Sequence, residues 1–383
     1  MEALYAYWIN WAKIMRMQSP KIKDVSAFLE SWAPRSYQES YDNSGLLVGD
    51  PETPVKGVLV SLDATEAVIE EAIQRGCNLV VSHHPIIFKG LKSLTGRTYV
   101  ERAVLSAIRN NVALYAIHTN LDNVRTGVNR RIAERLGLKN TQVLSPRRDT
   151  LSKLVTFVPS KEADSVRQAL HAAGAGQIGN YQNCSFEIAG TGRFQPNERA
   201  NPRMGEQGKA EQVDEVRIEV LLPTFRREEV LKALRSSHPY EEVAYYLTSL
   251  ENENQEVGAG LIGELDSAKE PSAFLHHLKE TLQTTLVRHT ALPRRTISRV
   301  AVCGGAGSFL LGEAIRKGAD AFVSADFKYH EFFDADGKIL VCDVGHYESE
   351  QFTKALLQEV LRENFTTFAS HFSNTVTNPI SYF

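Results

Sequence analysis

Short apolar runs alternate with longer amphipathic stretches along most of the chain, the pattern of parallel strands joined by crossover helices. Lys23 to Trp32 predicts a helix, and the polar loop Tyr41-Asp42-Asn43-Ser44-Gly45 leads into the apolar Leu46-Leu47-Val48. Val58 to Asp63 predicts a strand, Glu66 to Arg75 a helix closed by Gly76, and Leu79 to Ser82 the next strand. A helix around Tyr99 to Asn110 precedes the strand Val112 to Ile117, which runs out into His118-Thr119-Asn120-Leu121-Asp122. The C-terminal part repeats this order: strand Arg299 to Cys303, helix Leu310 to Lys317 before Gly318, then strand Ala321 to Ser324.

The repetition extends to individual residues. Glu71 to Asn78 matches Glu313 to Asp320 almost step for step, and Ile117 to Asp122 lies against Gly345 to Glu350. We read this as an internal duplication giving two similar lobes with a cleft between them. Between the lobes, strand Lys153 to Pro159, helix Ala163 to Ala173 and strand Cys184 to Ile188 precede a polar loop at 195 to 212. Strand Val216 to Pro223, helix Arg227 to Ser236 and strand Val243 to Leu247 follow, the β-α-β-β-α-β order of a ferredoxin-like module. The expected fold class is α/β: two duplicated lobes (20–150 and 258–383) forming one metal-binding domain, an inserted ferredoxin-like domain (151–257), and an N-terminal extension (1–19).

Composition narrows the function classes without selecting one. Hydrophobic content of 43% and charged content of 23% are those of an ordinary globular chain, and the net charge of -3 gives no global pull toward nucleic acid or an anionic membrane. The apolar stretch Met1 to Met17 is interrupted by Asn10, Lys13 and Arg16, and it is shorter than the ~20 residues of a membrane span. The four cysteines, Cys77, Cys184, Cys303 and Cys342, show no CxxC spacing and read as reduced thiols, which places the protein in the cytoplasm.

Chemistry concentrates where strands break. Asn78-Leu79-Val80-Val81-Ser82 runs into His83-His84-Pro85, and proline cannot continue a ladder. Ligands bind at such carboxyl ends in open α/β sheets. Adjacent side chains point apart, so two ions side by side, or an ion and a substrate, suit His83 and His84 better than a single ion. In each copy a histidine precedes a carboxylate by four residues, His118 to Asp122 and His346 to Glu350, which share a face if the segment opens a helix. Either pair alone is accounted for by acids favoured in a first helical turn; two pairs at matching points of a repeat argue for a site. His83, His84, Asp122, His346 and Glu350 are therefore the candidate metal ligands, a nitrogen and oxygen set suited to zinc, manganese, iron or nickel and to a pair of ions sharing a carboxylate. Gly304-Gly305-Ala306-Gly307 fits tight packing better than a phosphate cradle, since it matches no phosphate-binding fingerprint. Asp63, Asp326 and His330 stand near strand ends, where they can orient ligands, relay protons or cap a helix. His238-Pro239-Tyr240-Glu241-Glu242 reads as a turn or an interface.

Ser82 to Pro85, His118 to Asp122, Gly304 to Gly307, Ser324 to Glu331 and Gly345 to Glu350 together resemble the Nif-three-like (YbgI/YqfO) family, whose members carry the name GTP cyclohydrolase 1 type 2 homologue. The similarity runs from about residue 20 to 383 and is to the longer form of the family. It implies two divalent ions per chain on His83, His84, Asp122, His346 and Glu350, with His118 beside them as a proton carrier or a group supporting the ligands. It also implies a toroidal homohexamer whose inserted module, similar to PII or CutA proteins, caps the openings. Ser324-Ala325 stands where the family carries Thr-Gly, a departure that touches no ligand. The implied function is a metal-dependent hydrolase acting on a nucleotide-like or other small substrate. The alternative is a metal-binding regulatory or scaffold protein whose inserted module takes an effector.

Overall fold

The computed structural model describes residues 19–383, so all but the last residue of the expected N-terminal extension lies outside the described residues. The chain divides into two compact units, one formed by Arg147–Gln255 and the other by the segments before and after it.

Two sheets carry the larger unit. In the first, β2 (Gly57–Ser61), β3 (Leu79–Ser82) and β4 (Ala113–Ala116) run parallel. At its edges β1 (Gly45–Val48) pairs antiparallel with β4, and β15 (Ala369–Phe372) pairs parallel with β2. In the second, β12 (Ile297–Ala306), β13 (Ala321–Ala325) and β14 (Leu340–Asp343) are parallel, with β11 (Arg288–His289) antiparallel to β14 and β10 (Asn254–Lys269) antiparallel to β12. β5 (Lys139–Arg147) completes this sheet beyond β10. Strands β2, β3 and β4 are buried throughout, which is why they read as unbroken apolar runs. The crossover helix Glu66–Gln74 is capped by Thr65, and its Val68, Ile69 and Ala72 pack with Leu59, Val80 and Leu114. In the second sheet Ala301, Phe322 and Val341 meet Leu311 and Ala314 in the same way.

The duplication is visible in backbone bonding. Cys77 N donates to Ala72 O (2.8 Å) and Ala319 N to Ala314 O (3.0 Å) as each helix returns to its sheet. Asn78 Oδ1 accepts from Lys56 N (2.8 Å), and Asp320 Oδ2 accepts from Arg299 N (2.9 Å), each holding the start of the neighbouring strand. The ladder also corrects the expected match of Ile117 with Gly345. Ser82 pairs with Ala116 and Ser324 with Asp343, so Ile117 corresponds to Val344 and His118 to Gly345. His346 and Glu350 therefore sit one residue later than His118 and Asp122. β15, from the end of the chain, completes the first sheet, and β5, from before the smaller unit, lies in the second. Edge strands are exchanged between the halves of the chain, which residue-type matching cannot detect.

The smaller unit contains β6 (Leu151–Pro159), helix Ala163–Ala172, β7 (Phe186–Phe194), β8 (Glu211–Pro223), helix Arg227–Ser237 and β9 (Tyr245–Leu250). The sheet order is β7-β8-β6-β9 with antiparallel pairs throughout, the ferredoxin-like arrangement the sequence predicts. Val166, Leu170, Val230 and Leu234 pack against Leu154, Ile218 and Val220 in its core. The β7–β8 hairpin reaches further than expected, to Phe194 and back from Glu211, and β7 is mostly exposed. An exposed strand has no apolar alternation to betray it.

No helix among the described residues is long and apolar enough to cross a membrane. All four cysteines are free, with Cys77, Cys303 and Cys342 buried.

Candidate metal centre

The carboxyl ends of the central strands bring the site residues together. Beyond β3, His83 N donates to Ser61 O (3.3 Å) and His84 N to Leu62 O (2.9 Å), so both histidines remain fastened to the chain leaving β2. The turn after β4 is set by Asn120, whose Oδ1 accepts from His118 N (2.9 Å) and whose Nδ2 donates to Ala33 O (2.6 Å). It opens the short helix Thr119–Asp122. After β14, the short helix His346–Glu350 carries the last two candidates. Asn129 ties the turn after β4 to the end of β12, donating to Asp122 O (3.0 Å) and accepting from Gly304 N (2.9 Å).

Every histidine of the cluster is oriented from behind. Nδ1 of His84 bonds Asp63 Oδ1 (2.8 Å), that of His346 bonds Asp326 Oδ2 (2.7 Å), that of His118 bonds Asp42 Oδ1 (2.8 Å), and that of His83 bonds Ile117 O (2.8 Å). Carboxylates and carbonyls only accept, so each Nδ1 carries hydrogen and each neutral ring presents its lone pair at Nε2. These Nε2 atoms converge. His84 Nε2 is 3.0 Å from Glu350 Oε2 and 3.3 Å from His346 Nε2, and His346 Nε2 is 3.1 Å from the same carboxylate oxygen. His83 Nε2 stands 3.6 Å from Asp122 Oδ1 and 3.7 Å from Glu350 Oε1, too far for hydrogen bonds. His83 Nε2 and Asp122 Oδ1 are buried with no partner.

Unpartnered buried polar atoms are costly, about 1–3 kcal/mol each, and call for an explanation such as an ion. The donor set fits one: His83, Asp122 and Glu350 form one group that could hold a metal ion, and His84, His346 and Glu350 form another. A third group, His83, His84 and His118, brings in the remaining imidazole. His118 and Asp122 are not gathered into one group as His346 and Glu350 are, because the ladder offset puts His118 at the N-cap of its helix and His346 inside the helix.

Electrostatics of the metal-free cluster point the same way. Burial disfavours the carboxylate of Glu350, yet the imidazoles of His346, His83 and His84 hold its pKa well below the usual range. Burial, then the charge of Glu350, pushes Asp122 up to about 8. Burial opposes a charged His84, but Asp63 and Glu350 raise its pKa to about 10, and Glu350 with Asp326 raises that of His346 to about 11 against the same opposition. Protons thus supply the positive charge that these acids require.

The glycine run contributes space. A Cβ on Gly305, whose φ is +60°, would lie 2.4 Å from Glu350 Oε1, and one on Gly307 would lie 2.3 Å from Ser324 Oγ. Packing, as expected, accounts for the run. Asp63 and Asp326 orient His84 and His346, whereas His330 lies on the segment Tyr329–Ala335 beside Tyr329 and Phe333, outside the metal-holding groups. In the smaller unit His238 Nε2 bonds Phe157 O (2.9 Å) and Tyr240 OH donates to Glu215 Oε1 (2.9 Å), so that segment is fastened to β6 and β8. Sequence reasoning missed Asp42, Asn129 and Thr377, whose hydroxyl donates to Asp63 Oδ2. For Asp42 a signal existed, an acid in a polar loop just ahead of a buried strand; for Thr377 there was none.

A duplicated α/β frame with histidines and carboxylates gathered at its strand ends defines the class: an α/β protein whose strand ends bring together groups that could hold metal ions. Residues 20–379 match the Duf34/NIF3 (NGG1p interacting factor 3) family, and the chain belongs to it. It is 40% identical over 364 residues to the GTP cyclohydrolase 1 type 2 homolog of Halalkalibacterium halodurans, covering 94% of this chain and 98% of that protein. With the Bacillus subtilis protein of the same name it shares 37% identity over 370 residues, with the same coverage of 94% and 98%. The crystal structure of a Bacillus cereus protein related to NIF3 superposes with a TM-score of 0.85 at 37% identity, covering 96% of this chain and 100% of that one.

Proposed function

We propose that the cluster holds two divalent metal ions and that the protein is a metal-dependent hydrolase acting on a nucleotide-like or other small substrate. The carrying observation is that four imidazoles have Nδ1 fixed by oxygen acceptors while their Nε2 atoms gather, in overlapping groups, with Asp122 and Glu350. His83, Asp122 and Glu350 would hold one ion and His84, His346 and Glu350 the other, with Glu350 shared. The donor set suits zinc, manganese, iron or nickel. Divalent ions, when bound, supply Lewis acidity and make water more acidic. The proton work falls to His118. Its Nδ1 hydrogen is held by Asp42, so Nε2 is the atom that accepts a proton from reacting water and returns it to the leaving group. Burial opposes ionisation of Asp42, but His118 holds its pKa well below the usual carboxylate range, so a charged acid stands ready to stabilise the imidazolium.

The relatives' name makes GTP the first substrate to try, followed by sugar phosphates and cyclic amides. Zinc- or manganese-loaded protein should release a chromatographically resolved product, and His118→Gln should lower turnover about 10²–10⁴-fold with metal content unchanged. Equal turnover by wild type and His118→Gln would remove the histidine from the mechanism.

A second reading is a regulatory or scaffold protein that binds metal without catalysis. A cavity of about 640 Å³ in the smaller unit, lined by Phe157, Arg193, Glu215, Tyr240 and Tyr246 among others, favours it because it can take a small effector. Absence of turnover across the substrate panel, with a small ligand retained in this cavity, would support it. Either reading includes self-association as a homohexamer, which exposed Phe186, Ile188 and Tyr246 support. Sedimentation at the mass of one chain would contradict that. The buried free thiols suit a reducing compartment such as the cytoplasm.

A further inference from the structure

Two large aromatic side chains beside the cluster are left in solvent. Tyr41 is 62% exposed and Phe88 44% exposed, although aromatic rings of this size are usually buried. Their centroids are 6.1 Å apart with planes inclined by 34°. Phe88 lies 6.0 Å from the ring of His118, which in turn lies 5.3 Å from His83 and 5.4 Å from His84. A file of rings thus leads from the buried ligand cluster to the surface.

Backbone anchoring holds the outer rings there. Asn43 Nδ2 donates to Ile87 O (2.6 Å), stitching the loop of Tyr41 to the loop of Phe88. Between Tyr41 and Asn43, Asp42 accepts from His118 Nδ1 (2.8 Å) and Thr119 N (3.0 Å). Each exposed aromatic is therefore the immediate neighbour of a locked residue, and one of those locks also fixes His118. Lys89 and Lys92 follow Phe88 in the same exposed loop, and neither is ion-paired among the described residues.

We infer that Tyr41 and Phe88 form a stacking platform for a planar heteroaromatic ring of the substrate, with Lys89 and Lys92 available to an attached phosphate; this rests on the hydrolase reading of the same site. Stacking on aromatic faces accepts any flat ring, and ammonium groups bind phosphate as point charges. Because the platform and His118 share the anchors of one loop, a ring seated on it is held at a set distance from the proton carrier, the condition under which positioning accelerates a reaction. The site would then favour nucleotides over ring-free sugar phosphates.

The test uses full-length, zinc-loaded protein titrated calorimetrically with GMP and with ribose phosphate, for wild type, Phe88→Ala, Tyr41→Ala and Phe88→Tyr, with metal content measured in each. Wild type should bind GMP more tightly than ribose phosphate. Phe88→Ala and Tyr41→Ala should each weaken GMP roughly 10-fold and leave ribose phosphate and metal content unchanged, while Phe88→Tyr keeps the wild-type affinity. Equal affinity of wild type for the two probes, or GMP binding unaltered in Phe88→Ala, overturns the platform. That holds too if the substitution changes only the mass of the assembly. Ring-dependent GMP binding by protein that takes up no zinc keeps the platform and removes the hydrolase reading instead.

Discussion

The two sheets of the larger unit share a backbone plan and differ in what their strand ends carry. Val58 pairs with Leu79 as Val300 pairs with Ala321, and the copies stay in step to Val60 and Val302; beyond Val302 the second ladder shifts, so that Ala306 lies opposite Ala325 and Gly305 falls within the shift. Counted from Leu79 and Ala321, His83-His84 corresponds to Ala325-Asp326, and His118 to Gly345. Bonds at the opposite end, from Asn78 in one copy and Asp320 in the other, are alike. The starts of the strands fix the frame and were kept; the ends meet at one centre and could not stay identical. Glu350 belongs to both candidate metal groups, and the room for its carboxylate exists because Gly305, in the shifted stretch of β12, has no side chain.

The largest effect expected from breaking this asymmetry is at Glu350 itself. Glu350→Ala should empty both metal positions, whereas Asp122→Ala should empty one, and circular dichroism should show both variants folded because the site lies beyond the strands. Gly305→Ala comes next. A left-handed backbone costs about 1–2 kcal/mol in a residue with Cβ, and the added carbon displaces Glu350, so metal content should fall toward that of Glu350→Ala. Gly76 and Gly318, equivalent in the repeat with φ of +68° and +71° and nothing within 4 Å of an added Cβ, serve as the contrast. Alanine at either should cost about 1 kcal/mol in denaturant unfolding, alike in the two copies, with metal retained. Unequal costs would show that the copies differ in their frames as well as at their ends.

A smaller effect follows from protonation. In metal-free protein the pKa values of His84 and His346 are raised to about 10 and about 11, above the ~6.5 of an unfolded histidine. Their contribution to folding is therefore fully present below pH ~6.5 and is lost as pH rises through those values. Chelated protein should lose melting temperature over that range, while metal-loaded protein, whose imidazoles are already deprotonated, should lose less. Zinc added at neutral pH should release protons into weak buffer. No proton release would mean that the histidines do not bind metal through Nε2.

What the sequence reveals follows from how local each cause is. His83 and His84 are legible because an apolar run ends on them, and Glu350 because it repeats a spacing found in the other copy. Asp63 and Asp326 are visible as acids at strand ends, but their roles depend on which imidazole arrives opposite, a tertiary fact. Asp42 meets His118 across 76 residues and Thr377 meets Asp63 across 314, with no period connecting either pair. The ladder offset of one residue was hidden for a related reason: matching by residue type aligns histidine with histidine, whereas hydrogen bonding aligns His118 with Gly345.

The central claim is that one carboxylate is shared by two ions, and elemental analysis by plasma mass spectrometry of wild type, Asp122→Ala and Glu350→Ala tests it directly. About two transition-metal ions per chain in wild type, about one in Asp122→Ala and almost none in Glu350→Ala is the predicted series. One ion or fewer in wild type, unchanged in either variant, would contradict the shared site and leave the four oriented imidazoles to another purpose.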